Sequence, residues 1–163
     1  MSTDPDLDRL RPVYEDIHAR LWRAVLAWSG SAHVADEAVA EAFAQAARRG
    51  DAVRDPAAWV WRAAFRIAGG ELARLRETEH LADVDPPSRA AFLPADTVDL
   101  LRALRRLSDQ QRRAVVLVDG AGMTAPQAAA VLATSPATVR VQLSRARRRL
   151  RSLLSDQEPD DAH

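Results

Sequence analysis

The sequence predicts an all-α protein in which two small helical domains are joined by a flexible acidic linker and the second domain contains a helix-turn-helix. Three observations support this prediction. Apolar residues recur at intervals of three and four along most of the chain, and no alternating strand pattern is present. One central stretch lacks that periodicity and is rich in proline and acid. Near the C-terminus, two helix-start signals flank a short turn.

The first domain is predicted over residues 10–76 and contains three helices. Gly30 ends the first helix, and Ser31 can cap the second, which ends near Gly50. Asp55 and Pro56 form the start signal of the third helix. At 47% hydrophobic residues, the 163-residue chain has enough apolar side chains for two small cores.

The linker is predicted over residues 77–96, where three prolines and five acidic residues accompany a single arginine. The second domain follows over residues 97–155 and is predicted to be a compact unit of four helices. Ser108 and Gln111 have the spacing of a capping box that starts its second helix. Residues 156–163 form an acidic tail.

The helix-turn-helix is predicted from two successive caps. Thr124 and Gln127 have capping-box spacing, and Ser135 is a second cap followed by Pro136 at the first helical position. The last helix is amphipathic. Its predicted buried stripe consists of Val139, Leu143, Ala146, Leu150 and Leu153. Its outward face consists of Ala137, Val141, Ser144 and Arg148, with Arg140, Arg147 and Arg151 along one flank and Arg145 and Arg149 along the other.

This geometry is typical of a helix in the DNA major groove, where small residues approach base edges and guanidinium groups hold phosphates. The charge distribution favours the same interpretation. The formal net charge is zero, yet residues 98–155 carry eleven arginines against three aspartates. A solvated basic face on an ordinary helical hairpin is the alternative interpretation.

Composition argues against an enzyme. The chain has no cysteine, and its four histidines are scattered without the spacing of metal ligands, so we expect no metal and no cofactor. Asp36 and Glu37 are adjacent, so they cannot act as a paired acid and base on one helical face. The N-terminus is acidic and polar, and no apolar run approaches the roughly 20 residues of a membrane helix, so we expect a cytoplasmic protein without membrane insertion.

From about residue 10 to residue 154, the chain resembles sigma factors of the sigma-70 family, extracytoplasmic-function (ECF) group. The segment LRALRRLSDQQRRAVVLVDGAGMTAPQAAAVLATSPATVRVQLSRARRRLRSLL resembles region 4, which binds the −35 element. The segment ADEAVAEAFAQAARRG resembles region 2.2, which docks on a coiled coil of the largest polymerase subunit. The segment WVWRAAFRIAGGELARLR resembles regions 2.3 and 2.4, which read and help to open the −10 element.

The resemblance implies three partners, namely core RNA polymerase, promoter DNA and an anti-sigma factor, and it assigns residues to them. The residues expected at the −35 element are Ser135, Ala137, Thr138, Arg140, Val141, Ser144, Arg145 and Arg148. Those expected at the −10 element are Trp59, Trp61, Arg62, Arg66 and Arg74. Those expected to contact core polymerase are Asp36, Glu37, Glu41 and Phe43.

The chain departs from the family pattern at three positions. Ala40 stands where the family typically has a glutamine, and Arg66 and Gly70 stand where it has an asparagine and an acid. The tryptophan side chains can be interpreted in two ways, as surfaces on which unpaired bases stack or as parts of the hydrophobic core. Trp22, Trp28 and Trp59 lie on apolar registers, whereas Trp61 is predicted beside the buried stripe of its helix. The connector 50–54 is either a grip for a flipped base or a plain loop.

Two other functions stay open at this point. One is a free-standing helix-turn-helix regulator that binds a palindromic site as a dimer. The other is a sigma-like adaptor that holds polymerase or an anti-sigma partner without opening promoters, which the departures at Ala40, Arg66 and Gly70 allow.

Overall fold

The computed structural model describes residues 4–78 and 94–156, which form two compact units. Unit 1 comprises residues 4–78, and unit 2 comprises residues 94–156. Each unit consists of helices, and no strand occurs within these two ranges. None of the helices described is long and apolar enough to cross a membrane.

Unit 1 contains three α-helices, and its core lies between them. The helices are α1 (Pro5–Ser29), α2 (Ala32–Arg49) and α3 (Pro56–Thr78). The Oγ of Ser31 accepts a hydrogen bond from the backbone N–H of Val34, which confirms the predicted cap of α2. Each of the three helices packs against the other two, around the fully buried side chains of Ile17, Leu21, Val25 and Trp28.

Unit 2 contains four α-helices, as predicted. They are α4 (Ala95–Arg105), α5 (Asp109–Val115), α6 (Ala125–Leu132) and α7 (Pro136–Ser155). The capping boxes of Ser108 with Gln111 and of Thr124 with Gln127 are both complete, which confirms the two predicted helix starts. A single π-helical turn, Val116–Gly120, follows α5.

The helix ends differ from the predicted linker by a few residues. Helix α3 runs to Thr78, whose Oγ1 donates to the backbone carbonyls of Arg74 and Leu75, and α4 already begins at Ala95. Residues 77, 78, 95 and 96 of the expected linker are therefore helical. The rest of the linker, and the acidic tail after Asp156, lie outside the described residues.

Candidate nucleic-acid and partner interfaces

The start of α7 is fixed by local hydrogen bonds. The Oγ of Ser135 accepts a hydrogen bond from the backbone N–H of Thr138 at 3.1 Å. The side-chain Oγ1 of Thr138 lies 2.8 Å from the same Ser135 oxygen. Pro136 occupies the first helical position, where a missing N–H costs nothing. Ala133 ends α6 with a left-handed backbone (φ 52°), so the chain turns sharply into α7. These contacts place the first residues of α7 at the surface of unit 2.

The orientation of α7 agrees with the predicted faces. Val139, Leu143 and Ala146 are buried against the other helices of unit 2. Leu150 and Leu153 of the predicted stripe are only partly buried, because they lie towards the C-terminal end of α7. Ala137, Ser144 and Arg148 are exposed, and the side chain of Val141 is left 49% exposed. An apolar β-branched side chain at the surface, flanked by small residues and arginines, suits contact with base edges in a groove.

One arginine of α7 is held by the protein itself. The guanidinium of Arg147 donates from Nε to Oδ2 of Asp119 at 2.9 Å and from Nη2 to Oδ1 at 2.6 Å. This bidentate pair lowers the pKa of Asp119 and raises the pKa of Arg147, chiefly because each hydrogen bond favours the charged forms. Arg147 lies exposed along the flank of α7 where it was predicted. The sequence did not reveal its pairing with Asp119, which joins α7 to the π-helical turn.

The other five arginines of α7 are available to a ligand. All of them are exposed, and within residues 4–78 and 94–156 none has an acidic partner. They are Arg140, Arg145, Arg148, Arg149 and Arg151. Because their charges are not neutralised by neighbouring carboxylates of unit 2, they give one side of this unit a strong positive potential.

Helix α7 is also braced from α5. The side-chain amide of Gln142 donates to Oε1 of Gln110 at 3.1 Å, and α7 packs against α5 and α6. Together with the Arg147–Asp119 pair, this bond fixes the rotation of α7 about its axis. The outward face is therefore pre-organised for a rigid ligand such as duplex DNA.

In unit 1, the structure corrects the expected placement of Trp61. Its side chain is only 3% exposed, so it belongs to the buried stripe of α3 and does not lie beside it. The Trp61 ring lies 6.3 Å from the ring of Phe65, which in turn stacks on Trp28 at 5.3 Å. The guanidinium of Arg20 lies over the Trp61 ring, 5.8 Å from its centroid. The Trp61 indole has no open face for a base in this conformation, because α3 packs against both α1 and α2 and its buried arc is wide.

Trp59, at the start of α3, is half-buried. It shares a helical face with Arg62 and Arg66, three and seven residues further on, both of which are exposed. The guanidinium of Arg49, the last residue of α2, lies over the Trp59 ring at 5.4 Å. Arg49 could not be predicted from the sequence as part of this surface, because its proximity to Trp59 arises only when α2 and α3 pack together.

The two remaining −10 candidates make local contacts. The Nη2 of Arg66 donates to Oε1 of Gln45 on α2 at 3.3 Å, and Arg74 pairs with Glu71 at 2.6 Å one turn earlier. Both side chains stay exposed, so these surface contacts can be exchanged for phosphate contacts at little cost.

Helix α1 holds the connector 50–54 in place through the side chain of Arg9. Arg9 donates to the backbone carbonyls of Gly50 and Val53, and its Nη1 lies 3.5 Å from the carboxylate of Asp51. The sequence offered no sign of this bridge, which joins residues more than forty positions apart.

The acidic candidates of α2 lie near its exposed surface. Asp36 accepts a hydrogen bond from the indole N–H of Trp22 at 2.7 Å, and Glu37 is exposed. Glu41 accepts from Gln45 at 3.0 Å and from Arg48 at 2.8 Å, and these bonds lower the pKa of its carboxyl.

Phe43 is half-buried and meets the edge of the Tyr14 ring at 5.0 Å, beside an open groove between α1 and α2. The sequence did not reveal this groove, because its two walls come from different helices.

Within the described ranges, no cluster of three or more histidine, aspartate or glutamate side chains could hold a metal ion.

Comparison with known protein families adds independent evidence. Residues 97–150, which span α4 to most of α7, match the family model for sigma-70 region 4. The chain is 32% identical over 142 residues to the ECF RNA polymerase sigma factor SigM of Mycobacterium tuberculosis, covering 84% of this chain and 72% of SigM. It is 30% identical over 84 residues to the RNA polymerase sigma factor NccH of Alcaligenes xylosoxydans xylosoxydans, covering 52% of this chain and 45% of NccH.

Two solved structures share the fold. The sigma factor RpoE in complex with the anti-sigma factor NepR from Bartonella quintana superposes with a TM-score of 0.71 at 23% identity, over 93% of this chain and 97% of RpoE. CnrH in complex with the cytosolic domain of CnrY gives a TM-score of 0.68 at 24% identity, over 90% of this chain and 88% of CnrH.

Proposed function

Because this chain belongs to the ECF group of RNA polymerase sigma factors, which direct promoter-specific transcription, we propose that it binds core RNA polymerase and brings it to promoters with a −35 and a −10 element. Unit 2 reads the −35 duplex, and unit 1 engages the −10 region and the polymerase. The observation that carries this proposal is the outward face of α7, where five exposed arginines without acidic partners in the described ranges surround small and apolar side chains.

The −35 contact follows from the chemistry of that face. The exposed arginines bind phosphates on both sides of the major groove, and Ala137, Val141 and Ser144 lie between them. Ser135 and Thr138 lie at the N-terminal end of α7, where backbone N–H groups and the helix dipole favour a phosphate. Arg145 and Arg148 are the arginines whose loss we expect to weaken DNA binding most directly.

The −10 contact uses the face of α3 that starts at Trp59. The half-buried indole of Trp59 still reaches the surface and can stack on an unpaired base, and Arg62, Arg66 and Arg74 on the same helix can hold the single-stranded backbone. Arg49 joins this surface because its guanidinium lies over the same ring. Trp61 contributes here as support for α3, since its own ring is buried.

The polymerase contact uses α2, with Asp36, Glu37 and Glu41 facing a basic partner surface and Phe43 adding an apolar contact.

The protein works in the cytoplasm, where core polymerase is found, and has no turnover of its own because the polymerase carries out the chemistry. RpoE and CnrH are each held in a complex with another protein, and we propose that an anti-sigma factor likewise controls this chain.

Transcription with purified components tests the proposal. The protein is combined with core polymerase and genomic DNA from its source bacterium, and the 5′ ends of the transcripts are sequenced. We expect new start sites that share two upstream elements. The proposal is refuted if the protein does not bind core polymerase, and binding to a palindromic site as a dimer without polymerase would identify a free-standing regulator instead. Stable polymerase binding without transcripts from any site would identify an adaptor.

A further inference from the structure

One arginine of α1 binds both ends of the connector 50–54. The Nη2 of Arg9 donates to the backbone carbonyl of Gly50, and its Nη1 donates to that of Val53 at 3.2 Å. The Nη1 also lies 3.5 Å from the carboxylate of Asp51. A planar guanidinium, whose N–H donors have fixed directions, can bind two such acceptors at once. The conformation of the connector therefore depends on a residue that precedes it by more than forty positions.

The backbone of the connector needs this support. Gly50 has φ 53° and ψ −135°, which lies outside the common helical and extended regions. Val53 is buried, and its N–H donates to the carbonyl of Gly50 at 3.2 Å. Because Arg9 donates to both carbonyls, its loss would weaken the hydrogen bonding at the two ends of the connector together and allow other conformations.

The connector presents polar groups to the solvent. Asp51, Ala52 and Arg54 are exposed, and the side chain of Asp51 is 98% exposed. A carboxylate accepts hydrogen bonds and a guanidinium donates them, so this pair offers both kinds of partner for the edge of an unpaired base. Such edges become accessible to a protein when a base leaves the duplex.

The connector is also continuous with the aromatic surface at the start of α3. Arg49 immediately precedes it, and the guanidinium of Arg49 lies 5.4 Å from the centroid of the Trp59 ring. Asp55 immediately follows it and caps α3, with its Oδ1 accepting from the backbone N–H of Ala58 at 3.1 Å. A change in the connector would therefore displace its exposed side chains relative to the Trp59 ring.

We propose that Arg9 is a positioning residue that determines which base the connector accepts at the −10 element. The inference rests on the proposed function, in which unit 1 engages the −10 region, and it adds a residue of α1 that acts without contacting DNA. By fixing the carbonyls of Gly50 and Val53, Arg9 fixes the directions of Asp51 and Arg54. A base that matches these groups is held, and a base that does not match them leaves polar groups unpaired.

Transcription by the reconstituted holoenzyme from matched promoters tests the inference. The templates derive from a promoter identified by transcript mapping and differ from it by one base at a time across the −10 element, with a second set across the −35 element. The measured quantity is the discrimination ratio, which is the initial rate from the original template divided by the rate from the substituted one.

Two variants and a control are compared. Arg9→Ala removes both hydrogen bonds to the connector, and Arg9→Lys keeps the charge but loses the planar fork of donors. Arg11→Ala is the matched control, because Arg11 also lies on α1, is 66% exposed and pairs with Asp8 at 3.5 Å.

We expect Arg9→Ala to lower the discrimination ratio at least about fivefold at one or two adjacent −10 positions, because a displaced recognition group loses its selectivity. Arg9→Lys should lower it at least about threefold at the same positions. The ratios at the −35 element, which unit 2 reads, should change less than about twofold in both variants, and Arg11→Ala should leave both sets of ratios within the same limit.

Unchanged ratios at every −10 position overturn the inference. A uniform fall in transcription with unchanged ratios also overturns it, since that result shows only a structural role for Arg9. If thermal melts show that Arg9→Ala does not fold, the ratios of Arg9→Lys decide.

The wild-type chain separates this inference from the proposed function. Equal rates from all the −10 templates, with rates that still depend on the −35 sequence, would identify the connector as a plain loop and overturn the inference alone. If the wild-type holoenzyme starts no transcripts, the proposed function falls and the inference falls with it.

Discussion

Arg147 and Arg148 are neighbours on α7, and their side chains have different surroundings. The guanidinium of Arg147 is bound to Asp119 through two hydrogen bonds, although its side chain is 49% exposed. Arg148 is exposed and has no acidic partner in the part of the chain that the structure describes. We therefore expect Arg148→Ala to remove a phosphate contact, and we expect Arg147→Ala to loosen α7 without removing one.

The salt dependence of DNA binding gives the size of this difference. Each phosphate contact contributes about 0.9 to the slope of log K against log salt concentration. Between 50 and 200 mM salt, a difference of that size changes the relative affinity by a factor of about 3.5. We expect Arg148→Ala to reduce the slope by about 0.9, and we expect Arg147→Ala to leave the slope unchanged and to lower the melting temperature.

Fluorescence anisotropy with a labelled −35 duplex at five salt concentrations measures both slopes. Arg145→Ala is a useful companion, because Arg145 is also exposed without an acidic partner in the described ranges and should behave like Arg148. If Arg147→Ala reduces the slope as much as Arg148→Ala does, the pairing with Asp119 does not keep the Arg147 guanidinium from binding phosphate, and the predicted difference between the two residues is refuted. An unchanged slope for Arg148→Ala removes the outward face of α7 from the interface.

Three further predictions concern the stability of the fold. Ala133 has a left-handed backbone (φ 52°), so Ala133→Gly should stabilise unit 2 by about 1 kcal/mol, and a lower melting temperature would contradict this. Gly50 has φ 53°, and an added Cβ would lie 3.1 Å from Oδ1 of Asp6. Gly50→Ala should therefore lower the free energy of unfolding of unit 1 by about 1–3 kcal/mol in denaturant titrations. An unchanged midpoint would show that alanine fits this backbone conformation without strain. The lowered pKa of Asp119 means that its stabilising contribution is complete above the ordinary carboxyl range and is lost as the pH falls through its folded pKa; Asp119→Asn should therefore flatten the acid side of the stability curve, and an identical curve would exclude the linkage.

The helix starts could be predicted from the sequence because they depend on neighbouring residues. Ser31, Ser108, Thr124 and Ser135 each accept a hydrogen bond from a backbone N–H three positions further on. The outward face of α7 was also predictable, since one face of a helix is set by its periodicity.

The long-range side-chain contacts could not be predicted in the same way. Asp119 and Arg147 lie 28 positions apart, and the partners of the Trp22–Asp36 bond come from different helices. The burial of Trp61 also depends on tertiary packing, because α3 is covered on two sides by α1 and α2. The spacing of apolar residues shows which side of a helix faces the core. It does not show how much of the helix surface the neighbouring helices cover.

Directed DNA cleavage tests the assignment of the two units most directly. The chain has no cysteine, so Val141→Cys and Arg62→Cys each provide a single attachment point for a DNA-cleaving iron chelate. With core polymerase on a promoter identified by transcript mapping, we expect cleavage from position 141 around the −35 element and cleavage from position 62 around the −10 element. Absence of cleavage at the −35 element from position 141, or the reverse assignment of the two positions, would contradict the proposed roles of α7 and α3.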